Sequence, residues 1–271
     1  VLFIKTNVTK YINGFLDNQI NLETLNINSM AKTTIFEDRL FQNLYDLQTL
    51  TIKANKLFMG PHLFHFKGQN KLQMLTISSH LPKIHKNQFH LLNNLMWLDL
   101  GSTGLKHLPD HLLDGCCRNL KDLRIENNNI KSIPKHFFDK CGNLTSLVLR
   151  KNDISVVHSN TFHKLPSLVD IHIQNNPKWH MTCDYGFSDE ELFPELKYLT
   201  MYEMSHQCIH PWMLEIQNKR PNLKMEHSSD KTQLPNCELI EIPELPDKHE
   251  PFKALQIQFT GPSLFIHHKA Y

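Results

Sequence analysis

The sequence predicts an α/β repeat solenoid. A curved parallel β-sheet should line its concave face, with loops and 3₁₀ turns on the convex face. Three observations lead there. The pattern Leu-x-x-Leu/Ile-x-apolar recurs every 23 to 28 residues. An Asn stands eight residues after the first Leu of several copies, and a Phe follows in the second half of most copies. A unit of this length cannot bury its own apolar face, so neighbouring units must stack and share one core.

The copies are LETLNI from Leu22, LQTLTI from Leu47, LQMLTI from Leu72, LMWLDL from Leu95, LKDLRI from Leu120, LTSLVL from Leu144, LVDIHI from Leu168 and LKYLTM from Leu196. Leu2 and Ile4 fit the tail of an earlier copy, and a ninth strand is placed near Leu223 and Met225. Side chains alternate along a strand. Leu25, Leu50, Leu75, Leu98, Leu123, Leu147 and Ile171 should therefore form one buried row across eight or nine coils.

The second half of the unit repeats Asn55, Asn128, Asn152 and Asn176, then Leu57, Ile130 and Ile154. Phe41, Phe66, Phe89, Phe138 and Phe162 follow, with Leu44, Leu92 and Leu165 three residues before the next copy. This pattern resembles the leucine-rich repeat in its extracellular form. The recurring Asn should satisfy backbone groups buried in the turn, which are costly when unpaired. Met30, His80, Thr103 and Met204 break the Asn series, predicting less regular turns there.

Composition narrows the function. The 271 residues include 39 Leu and 24 Asn but only 9 Gly, leaving little room for phosphate-cradling loops. With 29 basic and 27 acidic residues the net charge is +2, which argues against nucleic acid as the main partner. No apolar run approaches the roughly 20 residues of a membrane span. VLFIKTNVTK begins inside the repeat pattern, so the chain reads as a piece of a longer protein.

Catalytic signatures are missing from the sequence: there is no GxSxG, HExxH, Walker loop or GxGxxG. His62 and His65 form an HxxH with no evident third ligand, and no metal or cofactor is expected. The scattered histidines, among them His85, His107, His136 and His158, read as solvated residues of the turns.

Three domains are expected: a solenoid over 1–176, an irregular cysteine-bearing junction with one or two further repeats over 177–237, and the start of a second array over 238–271. Cys183 and Cys208 lie off the core positions, 25 residues apart, and are expected to pair in a secreted setting. Cys237 could pair with a cysteine beyond the chain's last residue, and its partner stays open. Cys117 and Cys141 occupy the position of Leu44, Leu92 and Leu165 and read as small buried residues. The alternative is a bond from Cys141 to Cys116 or Cys117 across adjacent coils. Two glycosylation sequons occur: Asn143-Leu144-Thr145, on the exposed approach to a strand, and Asn7-Val8-Thr9, where Asn7 is expected to be buried on the Asn ladder.

The segments NPKWHMTC and Cys237 followed by LIEIPELP, with Leu255, Ile257 and Leu264 as a new strand and turn, resemble an insect Toll receptor ectodomain. That resemblance covers residues 183 to 271. It departs from the family where Cys183-Asp184-Tyr185 replaces a CxC pair. It implies a cell-surface, ligand-binding ectodomain of an innate-immune or developmental receptor. The implied partner is a secreted protein such as a Spätzle-like cystine-knot cytokine, with receptor dimerisation. The alternative is a secreted or matrix adhesion protein. Thr24, Thr49, Thr51, Thr76, Ser78 and Ser79 should point to the concave face. The candidate contact site there is Met74, Met96, Trp97, Lys121, Asp122, Arg124, Glu126, Arg150 and Lys151, an aromatic beside arginine-bearing strands. Lateral loops could compete through Lys5 and Lys53.

Overall fold

The structure, a computed structural model, describes residues 1–67, 70–179, 185–201 and 211–226, all within the compact unit Val1–Glu238. The strands, in chain order, are β1 (Leu2–Thr6), β2 (Lys10–Tyr11), β3 (Thr24–Ser29), β4 (Thr34–Phe36), β5 (Thr49–Met59), β6 (Met74–His80), β7 (Trp97–Asp99), β8 (Asp122–Arg124), β9 (Ser146–Val148), β10 (Asp170–His172), β11 (Tyr198–Thr200) and β12 (Lys224–Glu226). One 3₁₀ turn, Cys117–Asn119, and one helix, α1 (Pro211–Lys219), complete the described elements.

Ten strands form one parallel sheet in the order β1-β3-β5-β6-β7-β8-β9-β10-β11-β12. The repeat sets its register. Leu2 lies opposite Leu25, and the row continues through Leu50, Leu75, Leu98, Leu123, Leu147, Ile171, Leu199 and Met225. Every member from Leu25 to Leu199 is fully buried. Each such burial stabilises by about 1.5–3 kcal/mol. The earlier copy at Leu2 and the ninth strand at Met225 are both present as edge strands of this sheet.

Opposite the sheet, phenyl rings stack from coil to coil. Phe41, Phe64 and Phe89 lie with centroids 6.1 and 5.7 Å apart. Phe138, Phe162 and Phe187 continue at 5.9 and 5.7 Å. The second coil uses Phe64 where the spacing predicts Phe66. The turn closed by the Leu63 N–H on the Gly60 carbonyl brings Phe64 inward and leaves Phe66 half-buried.

Two kinds of coil share this sheet. Where Asn128, Asn152 and Asn176 are present, strands are three residues long and the chain turns away at once. The Asn128 amide donates to the carbonyls of Leu100, Ile125 and Glu126, and its Oδ1 accepts from the Thr103 N–H, the Thr103 hydroxyl and the Leu105 N–H, all within 3.1 Å. Asn152 and Asn176 repeat the arrangement, each with three donated bonds and one accepted from the preceding coil.

Where Met30 and His80 replace the Asn the strand runs on past the expected turn, with a register shift opposite His80, whereas at Thr103 the strand stays three residues long. β3 and β6 have six and seven residues, and β5 runs to eleven even though Asn55 is in place. Interstrand bonds such as Met30 N–H to the Thr6 carbonyl take over the work of the side-chain amide. The far end of β5 joins β2 and β4 in a small second sheet. Asn55 is exposed there and donates to Ala31 at 3.0 Å. Asn7 is likewise exposed rather than buried, because β1 has no Asn ladder beside it. Thr103 keeps a buried place by bonding Asn128 and the Leu100 carbonyl. Ser79 is buried rather than facing solvent, since the longer strand carries it past the bend where Lys53 and Lys56 shift register.

Cys117 and Cys141 are bonded, not merely buried side by side. Equal positions in adjacent coils bring their Cα atoms to 4.6 Å, the spacing of neighbouring strands and inside the range a disulfide spans. Cys116 keeps a buried thiol, pushed up to about 12 by burial. The expected Cys183–Cys208 bridge, Cys237, Met204 and the second array over 238–271 lie outside the described residues.

After Asn176 the core turns aromatic. Trp179 is fully buried and its indole N–H donates to the Tyr185 hydroxyl at 3.1 Å. Buried Arg220 follows α1 and donates to the carbonyls of Phe187, Phe193 and Leu196, so its charge is surrounded by acceptors.

Candidate protein-binding face

Residues between the buried leucines lie on the other face of the sheet, most of them open to solvent and Val148 and Thr200 buried. Register places them in two rows. One row runs Thr24, Thr49, Met74, Trp97, Asp122, Ser146, Asp170 and Tyr198. The other runs Asn26, Thr51, Thr76, Asp99, Arg124, Val148, His172 and Thr200. The rows are small and neutral as far as β6, then aromatic and charged.

Trp97 is half-buried because Arg124 covers it. The guanidinium carbon stands 4.4 Å from the ring centroid, and Arg124 Nε donates to Asp122 at 3.0 Å. The Asp122 bonds hold the guanidinium charged and raise its pKa further above the ordinary range, against the effect of burial. Trp97 is therefore not a bare aromatic, as the sequence suggests, but the floor of a cation–π stack. Met74 lies opposite Trp97 across the strand pair and is 43% exposed, leaving an apolar step beside the stack.

Other residues of the predicted site fall around this centre. Glu126 pairs with Arg150 one coil away. Lys121 and Lys151 are exposed, and Lys151 adopts a left-handed backbone with φ of 56°. Met96 is half-buried, and its carbonyl accepts from the N–H groups of Lys121 and Asp122. Met96 thus sits at the lower rim and Lys151 at the upper rim.

Sequence reasoning missed Asp99, Ser146, Asp170 and His172. Burial raises the Asp99 pKa, opposed by the Gly101 N–H at 2.8 Å and by Arg124. Asp170 is also pushed up by burial. The His172 and Ser146 bonds outweigh that and hold it below its ordinary value. The same two strand positions in LMWLDL, LTSLVL and LVDIHI carry these residues, so the repeat phase alone could have found them. Asp99, Asp122, Glu126 and Asp170 are matched in number by Arg124, Arg150, Lys121 and Lys151, so the face carries mixed charge. Among the described residues no group of three or more His, Cys, Asp or Glu side chains could hold a metal ion.

Residues 118–177 match the family described as Leucine rich repeat, and residues 2–67 match the BspA type Leucine rich repeat region. Both segments are leucine-rich repeats, and the solenoid is the fold such repeats form. Its sequence is 32% identical over 189 residues to Leucine-rich repeat-containing G-protein coupled receptor 5 of Rattus norvegicus, covering 62% of this chain and 20% of that protein. It is 28% identical over 187 residues to Podocan of Mus musculus, covering 68% and 29%. Keratocan of Gallus gallus is 32% identical over 130 residues, covering 43% and 36%. The chain thus spans about a fifth to a third of these relatives. Among solved structures, the leucine-rich repeat fold here is similar to an internalin of Listeria monocytogenes, with a TM-score of 0.57 and 15% identity over 82% of this chain and 60% of that one. It is also similar to the protein of a TLR13–ssRNA13 complex, with a TM-score of 0.58 and 19% identity over 82% and 35%. No described helix is long and apolar enough to cross a membrane.

Proposed function

We propose that this chain is a non-enzymatic recognition region of an extracellular protein, and that a secreted protein docks on the solvent side of the sheet between Met74 and Lys151. The Trp97–Arg124 stack carries the reading. Trp and Arg supply a large share of binding energy at protein interfaces. Here both are held in place beforehand, so docking loses less side-chain entropy. The mixed charges around the stack favour a ligand that presents polar groups of both signs beside an apolar one.

In its finer form the protein is a Toll-type receptor whose ligand is a Spätzle-like cystine-knot cytokine and which dimerises on binding. The resemblance of its cysteine-bearing segments supports this, and the second array over 238–271 and the Cys183–Cys208 bridge belong to the same proposal. Asn143 and the exposed Asn7 are its glycosylation sites. A second reading, a secreted or matrix recognition protein, is supported by the likeness to Podocan and Keratocan. Capture of secreted proteins on the immobilised chain, followed by mass spectrometry, identifies the ligand. Trp97→Ala and Arg124→Glu should each then weaken its binding at least about tenfold, or 1.4 kcal/mol. Unchanged affinity in both folded variants removes this face from the interface.

A further inference from the structure

The side of each coil that follows the strand carries a separate charge pattern. Segments 5–11, 28–36, 53–59, 78–83 and 101–108 contain seven lysines and no acidic residue: Lys10 pairs with Glu37 at 2.6 Å, Lys56 lies over the Phe58 ring at 5.2 Å, and the others are Lys5, Lys32, Lys53, Lys83 and Lys106. In the next two coils this side adds Lys131, Arg150 and Lys151. Its two acids there, Glu126 and Asp153, are already paired with Arg150 and Lys178. Lys5, Lys32, Lys53, Lys83, Lys106, Lys131 and Lys151 are exposed and make no ion pair among the described residues. The contrast with the opposite side is marked: Lys71, Lys140 and Lys164 are each bonded to an aspartate of the preceding coil, Asp46, Asp114 and Asp139. A net charge of only +2 therefore conceals a basic flank.

The fold turns this pattern into a line. Lys5 and Lys53 share one register row with Asn28 and Ser78. Lys106 and Lys131 hold equal places one coil apart, since the residues just before them, Leu105 and Ile130, accept matching bonds from the Asn129 and Asp153 N–H groups. Coils follow one another at the strand spacing of roughly 4.8 Å. The free ammonium groups thus extend over about 30 Å along the stack, which a compact anion would not need and a chain of anions would use.

We infer that this flank binds a linear sulfated polysaccharide, in register with the stacked coils and meeting the protein-binding face only at Arg150 and Lys151. The composition selects this partner. Lysine is a flexible point charge, suited to sulfate groups, and is depleted in the cores of protein interfaces. Single-stranded nucleic acid would need a row of aromatic platforms for its bases. Phe58 is the one exposed phenylalanine, tyrosine or tryptophan in these described segments, and Lys56 covers it. Binding held by charge releases counterions and falls steeply with salt.

The test uses heparin as the sulfated probe, with the folded chain measured by surface binding at several salt concentrations. Wild type should bind with a strong inverse dependence on salt. The triple variant Lys53→Glu, Lys106→Glu, Lys131→Glu should lose at least about tenfold in affinity and show a shallower salt slope. The control Lys71→Glu, Lys140→Glu, Lys164→Glu reverses as many charges on the other side and should stay within about twofold. Circular dichroism melts confirm that both fold. Undiminished heparin binding in the flank variant, equal loss in both variants, or tighter binding to single-stranded RNA or to anionic phospholipid vesicles than to heparin would each overturn the inference.

Discussion

The guanidinium of Arg124 lies over the ring of Trp97, 4.4 Å from its centre, although the two residues belong to adjacent coils. Asp122, directly opposite Trp97 in register, holds that guanidinium in place. A diagonal cross-strand contact of this kind should be measurable without any ligand. A double-mutant cycle of Trp97→Leu and Arg124→Met, read by urea unfolding, should give a coupling of about 0.5–1 kcal/mol. Strict additivity would mean that the stack contributes nothing in solution.

Leu123 lies in the middle of the buried row, with Leu98 and Leu147 on either side. Leu123→Ala should destabilise the protein by about 2–5 kcal/mol, since the neighbouring coils cannot collapse into the space without losing register. Chemical denaturation gives the value directly.

The Asn ladder should be as sensitive as the apolar core. Asn152→Ala leaves the Ile130 N–H without its partner inside the protein and takes one of two amide donors from each of the Ile125 and Leu149 carbonyls, which keep Asn128 and Asn176. The orphaned N–H costs about 1–3 kcal/mol. Asn55→Ala should cost far less, because Asn55 is exposed and the strand there is satisfied by its neighbours. Equal losses in the two variants would contradict the distinction between the two kinds of coil.

Peptide mapping without reductant should recover Cys117 joined to Cys141, with Cys116 alkylated only after unfolding. The same map reads the state of Cys183 and Cys208. Cys117→Ala together with Cys141→Ala should lower stability by about 2–4 kcal/mol, as expected for opening a loop of this length.

Acid should loosen the turns of the second and third repeats. The His65 ring meets His62 at 4.7 Å and His90 at 5.6 Å, with Arg39 and Asp38 nearby. Burial, then His62, His90 and Arg39, lower its pKa, while Asp38 opposes them. The folded state therefore prefers neutral His65. Its contribution is complete above the ordinary histidine value of about 6.5 and is lost as pH falls from there toward the lower folded value, because the unfolded chain takes up the proton first. His65→Gln should flatten the dependence of the melting temperature between pH 7 and 5, and His62→Gln should do so in part. An unchanged slope in His65→Gln would assign the acid response to other groups.

The sequence by itself determined the sheet. Period, strand register and the buried row from Leu25 to Ile171 follow from the recurrence of Leu, because a solenoid coil meets only its neighbours and equal positions must stack. The same logic put Asn128, Asn152 and Asn176 under the turns, and it placed the charged strand residues around Trp97 on one face. What it left open were matters of distance and partner choice. Cys117 and Cys141 read equally well as two small core residues until their Cα atoms stand 4.6 Å apart. The strand in β5 runs on because neighbouring backbones can satisfy it, a choice that Asn55 alone does not reveal. Trp97 reads as an exposed anchor until Arg124 and Asp122, both from the next coil, close over it. Repetition fixes which residues become neighbours, while the directions of long side chains, and hence which charges remain free for a partner, are settled only when the coils pack.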